Sequence, residues 1–407
     1  MSQIHTKLLI LADDLTGALD SGVQFAVKGD CVKIYVDAKC AFDALEEIDV
    51  LVIDTETRHI QPEEAYKTIY ELVSKAKALG IKKIYKKTDS GLRGNVGAEL
   101  KAVLDALGEK NLLFIPAWPE MGRTTKDGIH YIHGKPLAKS IFANDVNNPT
   151  TESEIKKIIQ KQVDVVVSLY GKESEEGIVV YDCESDEQLT KISEEIFAQN
   201  REPLLIAGCA GFLDKAPKQS EYPHHEEGKA LPQELFVLSG SMNEVTKAQL
   251  DFAEKKGAYR IHASMQEIVD GNWSEEEIKT FCEQFNQKAK VPIAIIDTLE
   301  QFEIQKQTKK EISEIIAKAM GKIAKEIVDS GVEKTFMIIG GDTLAGFIHE
   351  LNIASITPLK EIALGIVLAR YHYQGVDHYL ITKSGAFGKE ELLVEIQKKL
   401  EEGNIWD

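Results

Sequence analysis

Tyr85-Lys86-Lys87-Thr88-Asp89-Ser90-Gly91-Leu92-Arg93-Gly94 joins an apolar-alternating run (Ile81, Ile84) to a helical pattern spanning about Asn95 to Leu107. A strand that ends in a polar loop and passes into a helix is one βα unit, and repetition of that unit decides an α/β fold. In an open α/β sheet, ligands bind outside the carboxyl ends of the strands. This loop carries two lysines, an arginine, an aspartate, a serine and two glycines within ten residues. Its cations favour an anionic ligand through Coulomb attraction and charge-assisted hydrogen bonds. The plain alternative is a solvated basic turn.

The same rhythm extends in both directions. Lys7–Leu11 is a compact apolar strand, followed by Asp13 and Asp14 and a helical pattern to about Val27 that Gly29 stops. Asp14 suits the N-cap, because its carboxylate can accept from the open N–H groups of the first turn. Capping needs one acid, so the second is a candidate for binding a hydroxyl, taking a proton or holding a metal. Val32–Val36, Val50–Ile53, Ile81–Lys86 and Leu112–Ile115 read as further strands, and Glu63–Leu79 as a helix ended by Gly80. The strand at Val50 runs into Asp54-Thr55-Glu56-Thr57-Arg58-His59, where Arg58 could fork onto a carboxylate or form a surface ion pair.

Pro116 to Pro136 reads as a long irregular segment with Arg123, Lys126, His130 and His133, and such loops usually serve binding as a lid or functional loop. The two histidines lack a convincing third ligand, so no metal site is expected. Strands resume near Val163–Val167, Ile178–Tyr181 and Leu204–Ile206. Lys215 to Pro232, with three prolines, mixed charges and His224-His225, is the best domain boundary. The expected division is residues 1–214, a linker at 215–232, and residues 233–407.

The second half starts afresh with a strand at Glu234–Leu238, a Ser239-Gly240-Ser241-Met242-Asn243 turn and a helix to about Lys256. Ile293–Ile296 is another strand, and apolar residues at helical spacing mark one buried face over Lys310–Ser330. Phe336–Ile339 ends in Gly340-Gly341-Asp342-Thr343 before a helix at Leu344–Glu350, and Tyr379–Thr382 ends in Lys383-Ser384-Gly385-Ala386-Phe387-Gly388. Three strand ends thus finish in glycine turns. Glycine lets backbone N–H groups approach an anion closely, and a helix N-terminus adds partial positive charge. Three such stations in one domain read as a nucleotide-phosphate site, although none has the P-loop or GxGxxG spacing.

Composition bounds the remaining classes. The chain has 407 residues, 43% hydrophobic and 28% charged, with a formal net charge of −18. That charge argues against nucleic acid as the main partner, since phosphate-backbone binding relies on clustered Lys and Arg. No run reaches the roughly 18 apolar residues of a membrane span. The N-terminus lacks the pattern of a signal peptide, so a cytoplasmic location is expected. Cys31, Cys40, Cys183, Cys209 and Cys282 have no CxxC spacing and read as reduced, mostly buried small hydrophobes.

The first half therefore offers Asp13, Asp14, Arg58, Lys87, Asp89, Ser90 and Arg93, a set suited to a polyhydroxylated acid: cations for its carboxylate, acids for its hydroxyls. With a nucleotide in the other half, the economical reaction is phosphoryl transfer to a hydroxyl, which needs charge neutralisation, commonly by Mg²⁺, and a carboxylate to accept the proton. The expected architecture is α/β, two domains each with a mostly parallel sheet flanked by helices, and the active site in the interdomain cleft.

LADDLTGALDSG (Leu11–Gly22), DTETR (Asp54–Arg58), KKTDSGLRGN (Lys86–Asn95), PAWPEMGRTTKDGIHYIHGKPL (Pro116–Leu137), SGSMNEVTKAQL (Ser239–Leu250), IGGDT (Ile339–Thr343) and KSGAFG (Lys383–Gly388) resemble successive blocks of the four-carbon acid sugar kinase family. The resemblance implies an ATP-dependent kinase, with Mg²⁺, acting on the terminal hydroxyl of threonate, erythronate or a 3-oxo-tetronate. It assigns the sugar acid to the N-terminal domain and the nucleotide to the C-terminal one. Asp13, Asp14, Lys87 and Asp89 would be catalytic, with Asp13 favoured as base because Asp14 has the cap role. Arg58, Ser90 and Arg93 would bind the acid, the loop cations gripping its carboxylate. Ser239, Gly340, Gly341, Asp342, Thr343, Lys383 and Gly385 would line the ATP site, with Lys383 near the phosphates. The partners expected are the small-molecule acid and ATP, with neither nucleic acid nor membrane; a homo-oligomer stays open. One alternative is a non-catalytic sugar-acid and nucleotide sensor that keeps the kinase fold. A second, a dinucleotide oxidoreductase, is disfavoured by the missing GxGxxG.

Overall fold

The computed structural model describes residues 5–36, 38, 41–42, 48–145, 148–172, 176–220, 230–298 and 309–406. Cys40, His224, His225 and half of the proline-rich boundary segment lie outside the described residues. The chain divides into two compact units, Met1–His224 and His225–Asp407.

The N-terminal unit opens β1 (Leu8–Ala12), α1 (Leu15–Ala26), β2 (Val32–Tyr35), β3 (Val50–Asp54), α2 (Pro62–Ala78), β4 (Lys83–Lys87), α3 (Val96–Leu107), β5 (Asn111–Ile115). It continues through β6 (Arg123–Lys126), β7 (Ile129–Ile132) and β8 (Lys135–Pro136). It closes with α4 (Ile155–Gln160), β9 (Val167–Leu169), β10 (Gly177–Val180), α5 (Asp186–Ala198), β11 (Leu204–Gly208) and α6 (Ala210–Lys215). Its main sheet runs β2-β3-β1-β4-β11-β5-β10-β9, and every pairing is parallel. β1 and β3 are buried along their whole length, which is why they read as unbroken apolar runs rather than alternating ones. The strand order reverses at β1/β4, the position where an open α/β sheet leaves a crevice at its carboxyl edge.

The C-terminal unit comprises β12 (Leu235–Ser239), α7 (Glu244–Lys255), β13 (Tyr259–His262), α8 (Met265–Val269), α9 (Glu275–Lys288), β14 (Ile293–Asp297) and α10 (Lys309–Asp329). It ends with β15 (Thr335–Ile339), α11 (Gly341–Glu350), β16 (Ser355–Ala363), β17 (Ile366–Tyr373), β18 (Val376–Lys383) and α12 (Leu392–Glu402). The order is β13-β14-β12-β15-β18-β17-β16, parallel from β13 through β18 and antiparallel from β18 to β16. Each unit has its own apolar core, built between its sheet and its helices. Among the described residues, no helix is long and apolar enough to cross a membrane.

Three expectations need correction. Pro116 to Pro136 is not irregular: it holds a three-stranded antiparallel sheet, β6-β7-β8. Its first turn places Asp127 and Gly128 at φ +50° and +73°, the left-handed pair that an Asp-Gly hairpin requires. The strand expected at Val163–Val167 forms at Val167–Leu169 instead, and Val163 still belongs to the turn that ends α4, its N–H donating to the Ile159 carbonyl (3.3 Å). The Gln162 side chain accepts from Gly97 N (2.7 Å) and Ala98 N (3.2 Å) at the start of α3 and donates to the Gly94 carbonyl (2.9 Å). The strand expected at Tyr379–Thr382 is β18, and it belongs to a ribbon with two further antiparallel strands, β17 and β16, that are not expected from the sequence; β13, α8 and α9 are likewise additions.

Candidate active site

At the carboxyl edge of the N-terminal sheet, Ala12 stands level with Asp54 on one side and Lys87 on the other. The residues that follow these strands therefore meet. Asp13 is 2% exposed, and its Oδ2 accepts from Arg58 Nε at 2.8 Å. Its Oδ1 is buried and has no donor among the described residues. Asp14 caps α1: Oδ1 accepts from Gly17 N (2.9 Å), while Oδ2 accepts from Thr16 Oγ1 (2.7 Å) and Arg58 Nη1 (2.6 Å). Arg58 Nη2 faces Asp89 Oδ1 at 3.6 Å. One guanidinium thus spans three carboxylates.

The basic loop is equally self-contained. Asp89 Oδ2 accepts from Gly91 N (2.9 Å), Arg93 N (3.3 Å) and Arg93 Nε (2.8 Å), and its Oδ1 accepts from Arg93 Nη2 (2.8 Å). Arg93 Nη1 donates to Asp145 (2.8 Å). The Lys87 ammonium donates to the Thr88 carbonyl (2.9 Å). A methyl group on Gly17 would lie 2.6 Å from Asp14 Oδ1 and 2.9 Å from Lys87 Nζ, so any larger residue there would push both charged groups aside. The Ser90 carbonyl lies 3.0 Å from His130 Nε2, which ties β7 to the loop.

Burial and charge set the protonation of this cluster. Burial would raise the Asp89 carboxyl, but Arg93 and Arg58 pull it well below the ordinary carboxylate range. At Asp14, burial is outweighed by Arg58 and then Lys87, and its carboxyl is lowered. Asp54 moves the other way: burial, reinforced by Glu56 and Asp14, pushes it well above its usual value and favours the neutral form. Burial lowers His130 to about 4, with the Ser90 carbonyl opposing, so it is an uncharged tie at neutral pH.

Beneath the cluster lies a buried pair that sequence reasoning missed. Lys86 Nζ sits 3.0 Å from Glu99 Oε2 and donates to the Lys87 carbonyl at 2.7 Å; the two side chains are 0% and 1% exposed. Glu99 also accepts from Thr57 Oγ1. A lysine beside a polar loop looks solvated in sequence, and its partner lies beyond that loop in the first turn of α3; the surrounding apolar run (Ile81, Ile84) is the available signal.

Arg58→Met leaves the buried Asp13 and the half-buried Asp14 without their guanidinium partner, which costs about 3–5 kcal/mol. We expect urea unfolding at neutral pH to show that loss. The depressed carboxyls of Asp14 and Asp89 give stability that is present above their unfolded value near 3.8 and is lost as pH falls through their folded values. The deficit of Arg58→Met should therefore shrink below about pH 4.

In the C-terminal unit, Ser239, Ile339 and Lys383 stand level at the ends of three adjacent parallel strands. The glycine stations that follow touch one another. Gly240 N donates to Thr343 Oγ1 (3.1 Å), and Gly340 N to the Lys383 carbonyl (2.9 Å). Gly340 has φ +105° and precedes the first residue of α11, so the chain needs glycine there to enter the helix. A methyl on Gly385 would lie 2.6 Å from Ser241 Oγ. Asp342 is exposed in the first turn of α11, and its Oδ2 accepts from Ser313 Oγ at 2.5 Å. Lys383 is 1% exposed and donates to the carbonyls of Ser384 (3.0 Å) and Gly385 (3.1 Å), with Thr246 Oγ1 at 3.3 Å. Among the described residues no carboxylate pairs with it, and burial lowers its ammonium to about 7. Thr246, which also donates to the Gly385 carbonyl (2.8 Å), is a member of this cluster that the sequence reading did not single out.

The structure thus brings Asp13, Asp14, Arg58, Lys87, Asp89 and Arg93 into one network with Ser90 on its loop, and groups Ser239, Gly340, Gly341, Asp342, Thr343, Lys383 and Gly385 at one sheet edge. Comparison with known proteins divides the chain in the same way. Residues 8–216 match the sugar-binding N-terminal domain, and residues 236–393 the nucleotide-binding C-terminal domain. A D-threonate kinase of Salmonella typhimurium is 27% identical over 97% of this chain and 99% of its own. A 3-oxo-tetronate kinase of Pectobacterium atrosepticum is 24% identical over the same shares. A D-erythronate kinase of Heliobacterium modesticaldum is 30% identical over 61% of this chain and 60% of its own. The crystal structure of a Haemophilus influenzae protein has the same fold, with a TM-score of 0.70 at 21% identity, covering 96% of this chain and all of that one. Both domain models, in order and over nearly the whole length, show that this chain belongs to the four-carbon acid sugar kinase family.

Proposed function

We propose that the protein transfers the γ-phosphoryl group of ATP to the terminal hydroxyl of a four-carbon sugar acid of the threonate, erythronate or 3-oxo-tetronate class. The observation that carries this reading is the pair of distinct polar clusters, acids with cations on the sugar-binding domain and glycine stations with a buried lysine on the nucleotide-binding domain. Asp13 is the base. Asp14, Arg58, Lys87, Asp89, Ser90 and Arg93 complete the acceptor site, Arg58 holding the acids in place. Ser239, Gly340, Gly341, Thr343, Lys383 and Gly385 take the nucleotide.

The acceptor hydroxyl gives its proton to the open oxygen of Asp13. Its oxygen forms the new bond to the γ-phosphorus as the bond to the β-phosphate oxygen breaks, and ADP leaves. Lys87 supplies positive charge next to Asp14, and Lys383 does so at the nucleotide. A carboxylate at the start of α11 opposes bare phosphate and suits a phosphate-bound cation, so Asp342 would hold Mg²⁺, which supplies charge neutralisation of the triphosphate. Asp342→Ala should weaken ATP about tenfold with Mg²⁺ present, the worth of one charge-assisted contact. Calorimetry without Mg²⁺ should show no such loss.

The test is ADP release with threonate, erythronate and their 3-oxo forms. Acid-dependent ADP formation is expected with one of them. Acid and nucleotide binding without ADP would favour the non-catalytic sensor.

A further inference from the structure

The two guanidiniums expected to grip the acceptor's carboxylate are already engaged. Arg58 is held by Asp13 and Asp14, and Arg93 is bidentate on Asp89 with its remaining nitrogen on Asp145. Arg123, at the start of β6, is different. It is 9% exposed and, among the described residues, pairs with no carboxylate. Its Nη1 donates to the Met121 carbonyl and to His133 Nε2 (3.3 Å). Among the described residues Nε is buried without an acceptor and Nη2 donates to none. Nε and Nη2 together form the side-on edge of the guanidinium, the edge that matches a carboxylate with two parallel hydrogen bonds.

Arg123 also stands beside the acceptor loop. Its guanidinium lies 5.9 Å from the centroid of the Phe142 ring, on which Arg93 also packs at 5.0 Å. A methyl on Gly91 would lie 2.8 Å from that ring, so the ring rests on the Asp89–Gly91 turn. His130 joins the same small sheet to the Ser90 carbonyl. A buried cation that lacks a counter-ion is unfavourable in the ligand-free protein and is made good by an anion. Burial lowers this group, with Cys209 and Asp89 opposing.

We propose that Arg123 is the carboxylate receptor of the acceptor site, its Nε/Nη2 edge taking the C1 carboxylate of the sugar acid. This rests on the reading of the N-terminal unit as the acceptor domain. It moves the selection of acids over neutral polyols from the basic loop to β6.

The experiment compares binding of each four-carbon acid and its C1 primary amide by calorimetry, with ADP release measured in parallel. Arg123→Gln should weaken the acid about 10- to 100-fold, change the amide little and leave ATP affinity unaltered. Its ligand-free melting temperature should be no lower than the parent's, because an uncompensated cation has been removed. Arg123→Lys keeps the charge but not the fork and should fall between; it decides the matter should Arg123→Gln not fold. Equal losses for acid and amide, or a lower ligand-free melting temperature with the acid unaffected, would mark Arg123 as structural and overturn the proposal. Acid binding lost in Arg123→Gln, with no ADP released by the parent enzyme, would sink the kinase reading and leave the receptor standing. An enzyme that binds none of the acids overturns both.

Discussion

Asp13→Asn should lower kcat by about 10²- to 10⁴-fold, the usual contribution of a positioned general base, while ATP affinity stays unchanged. The geometry separates this residue from its neighbours. Both oxygens of Asp14 are occupied, by Gly17 N on one side and by Thr16 and Arg58 on the other. Both oxygens of Asp89 accept from Arg93. Asp54 favours its neutral form because burial, then Glu56 and Asp14, raise it. Asp13 alone among these four couples an Arg58 contact to a buried oxygen that no donor among the described residues reaches. A buried acceptor left without a donor costs about 1–3 kcal/mol, which a substrate hydroxyl would relieve. Asparagine keeps an oxygen for Arg58 Nε and nearly the same shape, so the variant removes the charge and the basic oxygen while keeping the hydrogen-bond geometry. Steady-state ADP release settles the matter: a kcat within tenfold of the parent would rule out Asp13 as base.

Lys383→Met should weaken ATP about 10- to 150-fold, the range for hydrogen bonds to a charged group, without lowering the stability of the ligand-free protein. Lys383 is buried among carbonyls with its ammonium lowered to about 7, against 10.5 for an ordinary lysine. Between those values the unfolded chain binds the proton and the folded one does not, so this group makes stability rise with pH across that window. Below it the lysine is charged in both states, and the full burial penalty is present. Removing it should therefore raise the melting temperature most at pH 6 to 7 and leave it unchanged near pH 11. The nucleotide's phosphates draw the proton back. ATP binding above about pH 7 should take up a proton, and affinity should fall by as much as about tenfold per pH unit. Calorimetry in two buffers of different ionisation enthalpy measures that uptake; a pH-independent affinity in the parent enzyme would exclude the role.

Much of this arrangement is legible in the residues, for a physical reason. Parallel strands covered on both faces appear as short apolar runs, and each run here (LLILA, VLVID, LFVLS, TFMII) stops at a polar or glycine-rich turn. The order of residues alone therefore locates the candidate sites, at the strand-to-loop junctions. What stays hidden is pairing. Nothing in that order says that Arg58 and Arg93 are taken up by internal aspartates while Arg123 is not, since each is an arginine beside a polar turn. The Lys86–Glu99 pair is hidden likewise, because it closes only when α3 packs on β4. The hairpin at Asp127-Gly128 was readable, since Asp-Gly between alternating residues is a strong turn signal; the flanking prolines and charges obscured it. The β16–β18 ribbon has a comparable signal in Gln374-Gly375, at φ +49° and +80°.

The most direct measurement is ³¹P–¹H NMR of the product formed from ATP, Mg²⁺ and each four-carbon acid, with ADP quantified in the same sample. Transfer to the terminal hydroxyl gives one phosphorylated acid per ADP, its phosphorus coupled to the two protons on C4. ADP appearing without a phosphorylated acid, phosphorus coupled to a single proton of an inner carbon, or no ADP with any of the acids would contradict the assigned reaction.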